Sequence, residues 1–152
     1  MNMEIRRALP EDAEVLTEIA IAAKGHWGYP ARWMQAWKGE LTFDAAYLER
    51  YESWTALVEN RPAGFYTLLW KEDHAWLENL WVRPAQMGRG IGSALFQHAR
   101  QLSKERGYPV LRFESDPNAV GFYRKMGAHQ IGERHSEVEG QARLLPVMEL
   151  EL

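Results

Sequence analysis

The chain has 152 residues, a net charge of −3, 46 % apolar residues and no cysteine. That length suits one domain over residues 1–152 with a core that needs no covalent staples, and the missing cysteines exclude disulfides, thiolate zinc sites and a cysteine nucleophile. No secretory leader opens the chain and no run of 18 apolar residues occurs, so cytoplasmic residence without membrane association is expected.

Met3-Glu4-Ile5-Arg6-Arg7-Ala8 alternates and predicts a first strand. Pro10 suits the first turn of a helix with Glu11, Asp12 and Glu14 at its positive end, and Val15, Leu16, Ile19 and Ala23 form its apolar stripe. Gly25, Gly28 and Pro30 interrupt it. Trp33 and Trp37 fit a short second helix, and Thr42 is the expected cap of a third carrying Phe43, Ala46, Tyr47 and Arg50. Residues 54–59 and 64–70 read as strands around a turn at Asn60-Arg61-Pro62-Ala63, and residues 75–82 complete a meander. A helix from Gly90 to Arg106 follows, with Ile91, Leu95, Ala99 and Leu102 inward and Gly107 as its stop. A strand at 110–113, a helix at 117–126 and strands at 128–132 and 143–151 end the chain. Glu133 to Gly140 reads as a polar loop, either closing over a site or simply mobile. A meander feeding a strand–helix–strand crossover implies an α/β fold with a mixed sheet and helices on its faces.

Charge is unevenly distributed. Residues 1–81 carry 8 Lys+Arg and 13 Asp+Glu, residues 82–125 carry 8 and 3, and residues 126–152 carry 2 and 5. The middle suits an anionic ligand and the flanks a cationic one. The acidic total argues against nucleic acid as a partner.

The strongest local signal is Leu80-Trp81-Val82-Arg83-Pro84-Ala85-Gln86-Met87-Gly88-Arg89-Gly90-Ile91-Gly92-Ser93. A strand runs into three alternate glycines, and a helix starts at once. Glycine permits positive φ and close approach of a ligand. The free N–H groups of the first helical turn and the helix dipole then favour a phosphate. A Walker loop needs Gly-Lys-Ser/Thr, and Gly92 is followed by Ser93 and Ala94. A dinucleotide fingerprint needs a third glycine where Ser93 stands, although Glu114 lies at a suitable distance for a ribose contact.

This segment resembles motif A of the GNAT superfamily of N-acetyltransferases, Arg/Gln-x-x-Gly-x-Gly/Ala, with Gly90 and Gly92 in register and Met87 where Arg or Gln is usual. Asp116-Pro117-Asn118-Ala119-Val120-Gly121-Phe122-Tyr123-Arg124-Lys125-Met126-Gly127-Ala128 resembles motif B. Ala119, Phe122, Tyr123, Lys125 and Gly127 match, while Asp116 replaces Asn and Ala128 replaces Phe. The resemblance implies a GNAT-like fold and transfer of an acetyl group from acetyl-CoA to an amine, with no metal and no covalent acetyl-enzyme. It implies cofactor contacts from Leu80, Trp81, Val82, Met87, Gly88, Arg89, Gly90, Ile91, Gly92, Ser93, Asn118, Phe122 and Lys125. A catalytically inert acyl-CoA sensor or partner-binding module on the same fold is the alternative.

An amine protonated at neutral pH cannot attack a thioester, so a base is needed, and a departing thiolate benefits from a proton donor. Glu78-Asn79-Leu80-Trp81-Val82 resembles the Glu-Asp-(apolar)2-Val strand of diamine-type members, which makes Glu78 the candidate base or amine contact. Tyr123 is the candidate acid, or else a half-buried aromatic beside Phe122. Backbone N–H groups near Leu80 and Trp81 are candidates for holding the oxyanion. His26, Trp27 and Tyr29 are candidate acceptor contacts, since aromatics can hold a cation. The other histidines lack metal-ligand spacing. The acceptor is expected to be a small-molecule or peptide amine, and pairing through a sheet edge at 143–151 would make a homodimer.

Overall fold

The strand-like segments assemble into one mixed sheet. A computed structural model describes residues 1–152 and contains β1 (Met3–Arg7), β2 (Glu52–Val58), β3 (Arg61–Trp70), β4 (Ala75–Val82), β5 (Val110–Glu114), β6 (His129–Val138) and β7 (Gln141–Glu151). The helices are α1 (Ala13–Gly25), α2 (Ala31–Trp37), α3 (Ala45–Arg50), α4 (Ile91–Glu105) and α5 (Val120–Lys125). The strand order is β1-β2-β3-β4-β5-β7-β6, and only β4 and β5 run parallel. No helix is long and apolar enough to cross a membrane.

Successive strand residues point to opposite faces, and two cores result. Tyr66 joins Leu95, Phe96, Phe113, Tyr123 and Met148 under α4 and α5. Its neighbour Phe65 joins Leu16, Ile19, Phe43 and Leu48 under α1 and α3. The α3 cap is Asp44, which accepts from the Tyr47 N–H at 2.8 Å; Thr42 instead donates to the Lys38 carbonyl at 2.6 Å.

Three boundaries differ from the sequence expectation. The β2–β3 turn is Glu59-Asn60, both left-handed at φ 51° and 65°, so it is a two-residue hairpin turn. Pro62 therefore lies within β3, where it is tolerated because Ala63 is extruded as a bulge between the Leu57–Pro62 and Ala56–Gly64 pairs. Residues 133–138 are the arm of a hairpin with β7, turning at Glu139-Gly140, and form no loop over the site. Nearly all of β6 is exposed on both faces, so no buried face imposes the period-two pattern by which strands are recognised. Finally, β7 is interior, between β5 and β6, and the sheet edges are β1 and β6. Pairing of two copies through residues 143–151 is thus ruled out by the sheet itself.

Two irregularities shape the centre of the sheet. In the β3–β4 ladder Leu68 pairs with Leu77 and Thr67 with Asn79, which leaves Glu78 as an extra, bulged residue. The bulge inverts side-chain parity along β4. Ala75 and Leu77 face the α4 core before it, and Leu80 and Val82 face that core after it. Asn79 and Trp81 turn the other way, toward Tyr47 and the α1–α3 core. The second irregularity is a splay. β4 and β5 pair only at Ala75–Leu111 and Trp76–Arg112, whereas all five residues of β5 pair with β7. From Leu77 onward the edge of β4 facing β5 has no partner strand.

Candidate active site

The splay opens a cavity of about 500 Å3 lined by β4, the glycine loop, the start of α4, the end of β5 and α5. The loop folds as its glycines dictate. Gly88 and Gly90 have φ of +78° and +85°, a region that costs an L side chain about 1–2 kcal/mol. Gly90 caps α4 without offering a side-chain acceptor. As a result the main-chain N–H groups from Gly88 through Ser93 donate to nothing within the chain. Such a set of free donors at a helix N-terminus attracts an anion. Gly92 lies against the ring of Phe122, to which an added Cβ would approach within 3.5 Å.

Three carboxylates line the cavity: Glu78, Glu114 and Asp116. Their partners differ. Asp116 is saturated. Its oxygens accept from Lys24 Nζ at 2.7 Å, from the Tyr29 hydroxyl at 2.9 and 3.0 Å, and from the main-chain N–H and side-chain amide of Asn118 at 2.9 Å each. Burial alone would push its carboxyl up, but Lys24, the Asn118 N–H and Tyr29 outweigh burial and hold it below the ordinary carboxylate value. Glu114 accepts a two-pronged ion pair from Arg134, with Nη2 3.1 Å from Oε2. Glu78, carried outward by the bulge, is exposed and accepts only from the Trp76 indole at 2.8 Å.

Tyr123 is buried to 8 % exposure between Phe113 and Phe96. Burial, and then the Asp116 charge, push its phenol up. No hydrogen bond to its hydroxyl forms within the chain, and the residue lines the cavity.

The cavity gathers Trp27, Glu78, Leu80, Trp81, Val82, Met87, Gly88, Gly90, Gly92, Ser93, Asn118, Phe122 and Tyr123 from the sequence-derived set. Five others lie outside its lining. Arg89 is exposed and donates to Gln86 at 2.7 Å. Ile91 is core, so it can offer only its N–H. Lys125 is exposed at the end of α5. His26 caps α1 and packs edge-on against Trp27. The Tyr29 hydroxyl is committed to Asp116, and its ring joins Trp33 and Trp37 around the Lys24 and Arg143 cations. Sequence reasoning noted Glu114 only for its spacing in a dinucleotide fingerprint, and it did not identify Glu114 as a lining residue of this cavity or Asp116 as a hub. The available signal was their place at the carboxyl end of β5, where open sheets of this kind bind ligands.

Two further cavities adjoin this one. One of about 390 Å3 lies between α2 and the β6–β7 hairpin, and one of about 600 Å3 lies beside Tyr47 and Trp76.

Comparison with known proteins agrees with this geometry. Residues 15–128 match the family model of the Acetyltransferase (GNAT) family. The chain is similar to the peptidyl-lysine N-acetyltransferase YjaB of Salmonella typhimurium, at 31 % identity over 99 % of this chain and 98 % of that protein. Among solved structures, a GCN5-related N-acetyltransferase from Rhodopseudomonas palustris superposes with a TM-score of 0.82 at 26 % identity, covering 100 % of this chain and 99 % of that one. The PaiA N-acetyltransferase of Thermoplasma acidophilum, solved in complex with coenzyme A, shares the fold with a TM-score of 0.79 at 24 % identity over 100 % of both chains. A mixed sheet splayed between β4 and β5, free amides at the splay and these relatives together place the chain in the GNAT family, as an N-acetyltransferase.

Proposed function

We propose that this chain transfers an acetyl group from acetyl-CoA directly to a primary amine of a lysine side chain, peptide or small molecule. The observation that carries the proposal is the run of free N–H groups from Gly88 through Ser93 beside the unpaired edge of β4. The first suits a pyrophosphate and the second an amide-containing arm such as pantetheine. The relatives named as peptidyl-lysine acetyltransferases, and the fold neighbour holding coenzyme A, support the same assignment.

When bound, acetyl-CoA supplies a thioester carbonyl and a thiolate leaving group. Gly88, Gly90, Gly92 and Ser93 hold its phosphates through main-chain N–H groups, and Ile91 and Arg89 add theirs. Leu80, Trp81 and Val82 offer main-chain groups to its arm, and Phe122 packs beneath. Glu78 accepts a proton from the incoming ammonium, directly or through water. It is suited to this because the bulge aims it away from the core and it has no counter-ion. Tyr123 donates a hydrogen bond to the departing sulfur. A thiol ordinarily ionises near pH ~8.5 and the Tyr123 phenol is held well above its usual value, so complete proton transfer runs uphill. A hydrogen bond formed as charge develops on sulfur stabilises the transition state without it.

A thiol-release assay with acetyl-CoA against lysine peptides, polyamines, aminoglycosides and amino acids tests the proposal. Glu78→Gln should lower kcat/KM on the order of 10²-fold at pH 7 and leave acetyl-CoA binding by calorimetry unchanged. Thiol release from no amine in the panel would overturn the assignment of acceptor.

A further inference from the structure

Glu114 is the residue that lines all three adjoining cavities. It ends β5, where β4 and β5 separate, and so stands between the cofactor cavity and the two that open toward the acceptor side. Building on the acetyl-transfer assignment above, we propose that Glu114 binds the acceptor's ammonium and that Arg134 is a stand-in counter-ion which the acceptor displaces.

The contrast with Asp116 carries the proposal. Both carboxylates face the cofactor cavity and the cavity beside the β6–β7 hairpin. Asp116 and its partner Lys24 have side chains only 9 % and 12 % exposed, and three further donors fix the carboxylate. It has no capacity for another cation. Glu114 is 27 % exposed and its one partner, Arg134, is 52 % exposed. Water screens this pair more than the enclosed Lys24–Asp116 pair, so of the two carboxylates Glu114 is the one whose partner another cation can replace. Arg134 stands on β6, an edge strand, so its withdrawal disturbs no interior strand. It also lines both outer cavities, which puts its guanidinium in the space an approaching acceptor would cross. Within one of those cavities Glu78 lies together with Glu114 and has no cationic partner. An acceptor ammonium there meets Glu114 as its counter-ion and Glu78 as the group that takes its proton. Until it arrives, Arg134 keeps Glu114 neutralised and competes with any cation for that place.

Steady-state kinetics with Nα-acetyl-lysine amide as acceptor test the assignment through opposite signs. Glu114→Gln should raise the acceptor KM on the order of tenfold, as expected for loss of a charge-assisted contact. Its kcat should change much less, and its Kd for acetyl-CoA should be unchanged. Arg134→Gln removes the competitor and should lower the acceptor KM a few-fold. A merely structural ion pair predicts the same direction for both variants, so a raised KM in Arg134→Gln would overturn the proposal. An unchanged KM in Glu114→Gln would do the same. If the unsubstituted chain released no thiol with any amine, the acceptor assignment itself would fall, a result distinct from either variant's.

Discussion

The Lys24–Asp116 pair offers the sharpest test of what holds the acceptor side of the molecule together. Lys24 belongs to α1 and Asp116 to the turn before α5, 92 residues later. Lys24→Met keeps the length of the side chain and its contacts with Tyr29 and Trp37 but leaves Asp116 without a counter-ion. Removing one member of a buried pair costs about 3–5 kcal/mol. Asp116 retains its bonds from Tyr29 and Asn118, so the lower end, about 3 kcal/mol, is expected. For a chain of this size each kcal/mol moves Tm by about 2–4 °C, giving a fall of roughly 6–12 °C. Asp116 in the natural chain has a depressed pKa, so its contribution is present above the unfolded carboxylate value and is lost as pH falls through the folded one. In Lys24→Met the largest force depressing that pKa is gone and burial raises it. The deficit should therefore narrow as pH drops from 7 toward the carboxylate range. Lys24→Met/Asp116→Asn, which removes the stranded charge and keeps the amide's bonding capacity, should recover about half the loss. Urea denaturation at several pH values measures all of this. A double variant no more stable than Lys24→Met alone would refute the assignment of the loss to an uncompensated carboxylate.

Three more outcomes are expected. A Cβ added at Gly64 would lie 2.7 Å from the Trp81 carbonyl and 3.1 Å from Leu95 Cδ1. Gly64→Ala should therefore destabilise by about 1–3 kcal/mol in urea titrations, and a stability within error of the natural chain would show that β3 and β4 can separate freely. Gly90→Val forces a β-branched residue to φ +85° at a cost of about 1–2 kcal/mol. Rearrangement of the loop should then weaken acetyl-CoA binding about tenfold by calorimetry, and equal affinity would remove the loop amides from the binding site. Burial lowers the His98 pKa, and its ring accepts or donates at 2.6 Å with the Tyr66 hydroxyl. Its contribution is complete above the unfolded histidine value near pH ~6.5 and declines as pH falls below it. His98→Gln should flatten that part of the stability–pH curve, and a slope equal to the natural chain's would assign it elsewhere.

The features legible in the linear chain are those whose cause is local. Gly88 and Gly90 announce a strand-to-helix turn because only glycine takes their positive φ without cost. Asp116-Pro117 marks a helix start because an acceptor side chain and a fixed φ both suit one. The amphipathic stripe of α4 follows from spacing alone, and so does the order of strands and helices that implies a mixed sheet. Elements without a buried face were misjudged. β6 shows no alternation because it borders water on both sides. The β2–β3 turn was placed late because Pro62 reads as a turn residue, and only the Ala63 bulge makes room for it in the strand.

Other properties exist only once distant segments meet. The sequence determined that a glycine-rich helix N-terminus follows a β strand, and it drew attention to Glu78 and Tyr123 as candidate groups beside it. It contained no sign that β4 would lose β5 after Trp76, because strand pairing is a contest among partners and β7 wins β5 along its full length. Nor did it show that Glu78 would be the bulged residue, since register depends on which face of β4 each core can bury. Charges within a few residues of each other took partners far away, Asp116 with Lys24 and Glu114 with Arg134. Burial then decided which ion pair is enclosed and which stays open to water, and the surrounding water is one of the things that sets how strongly a pair holds.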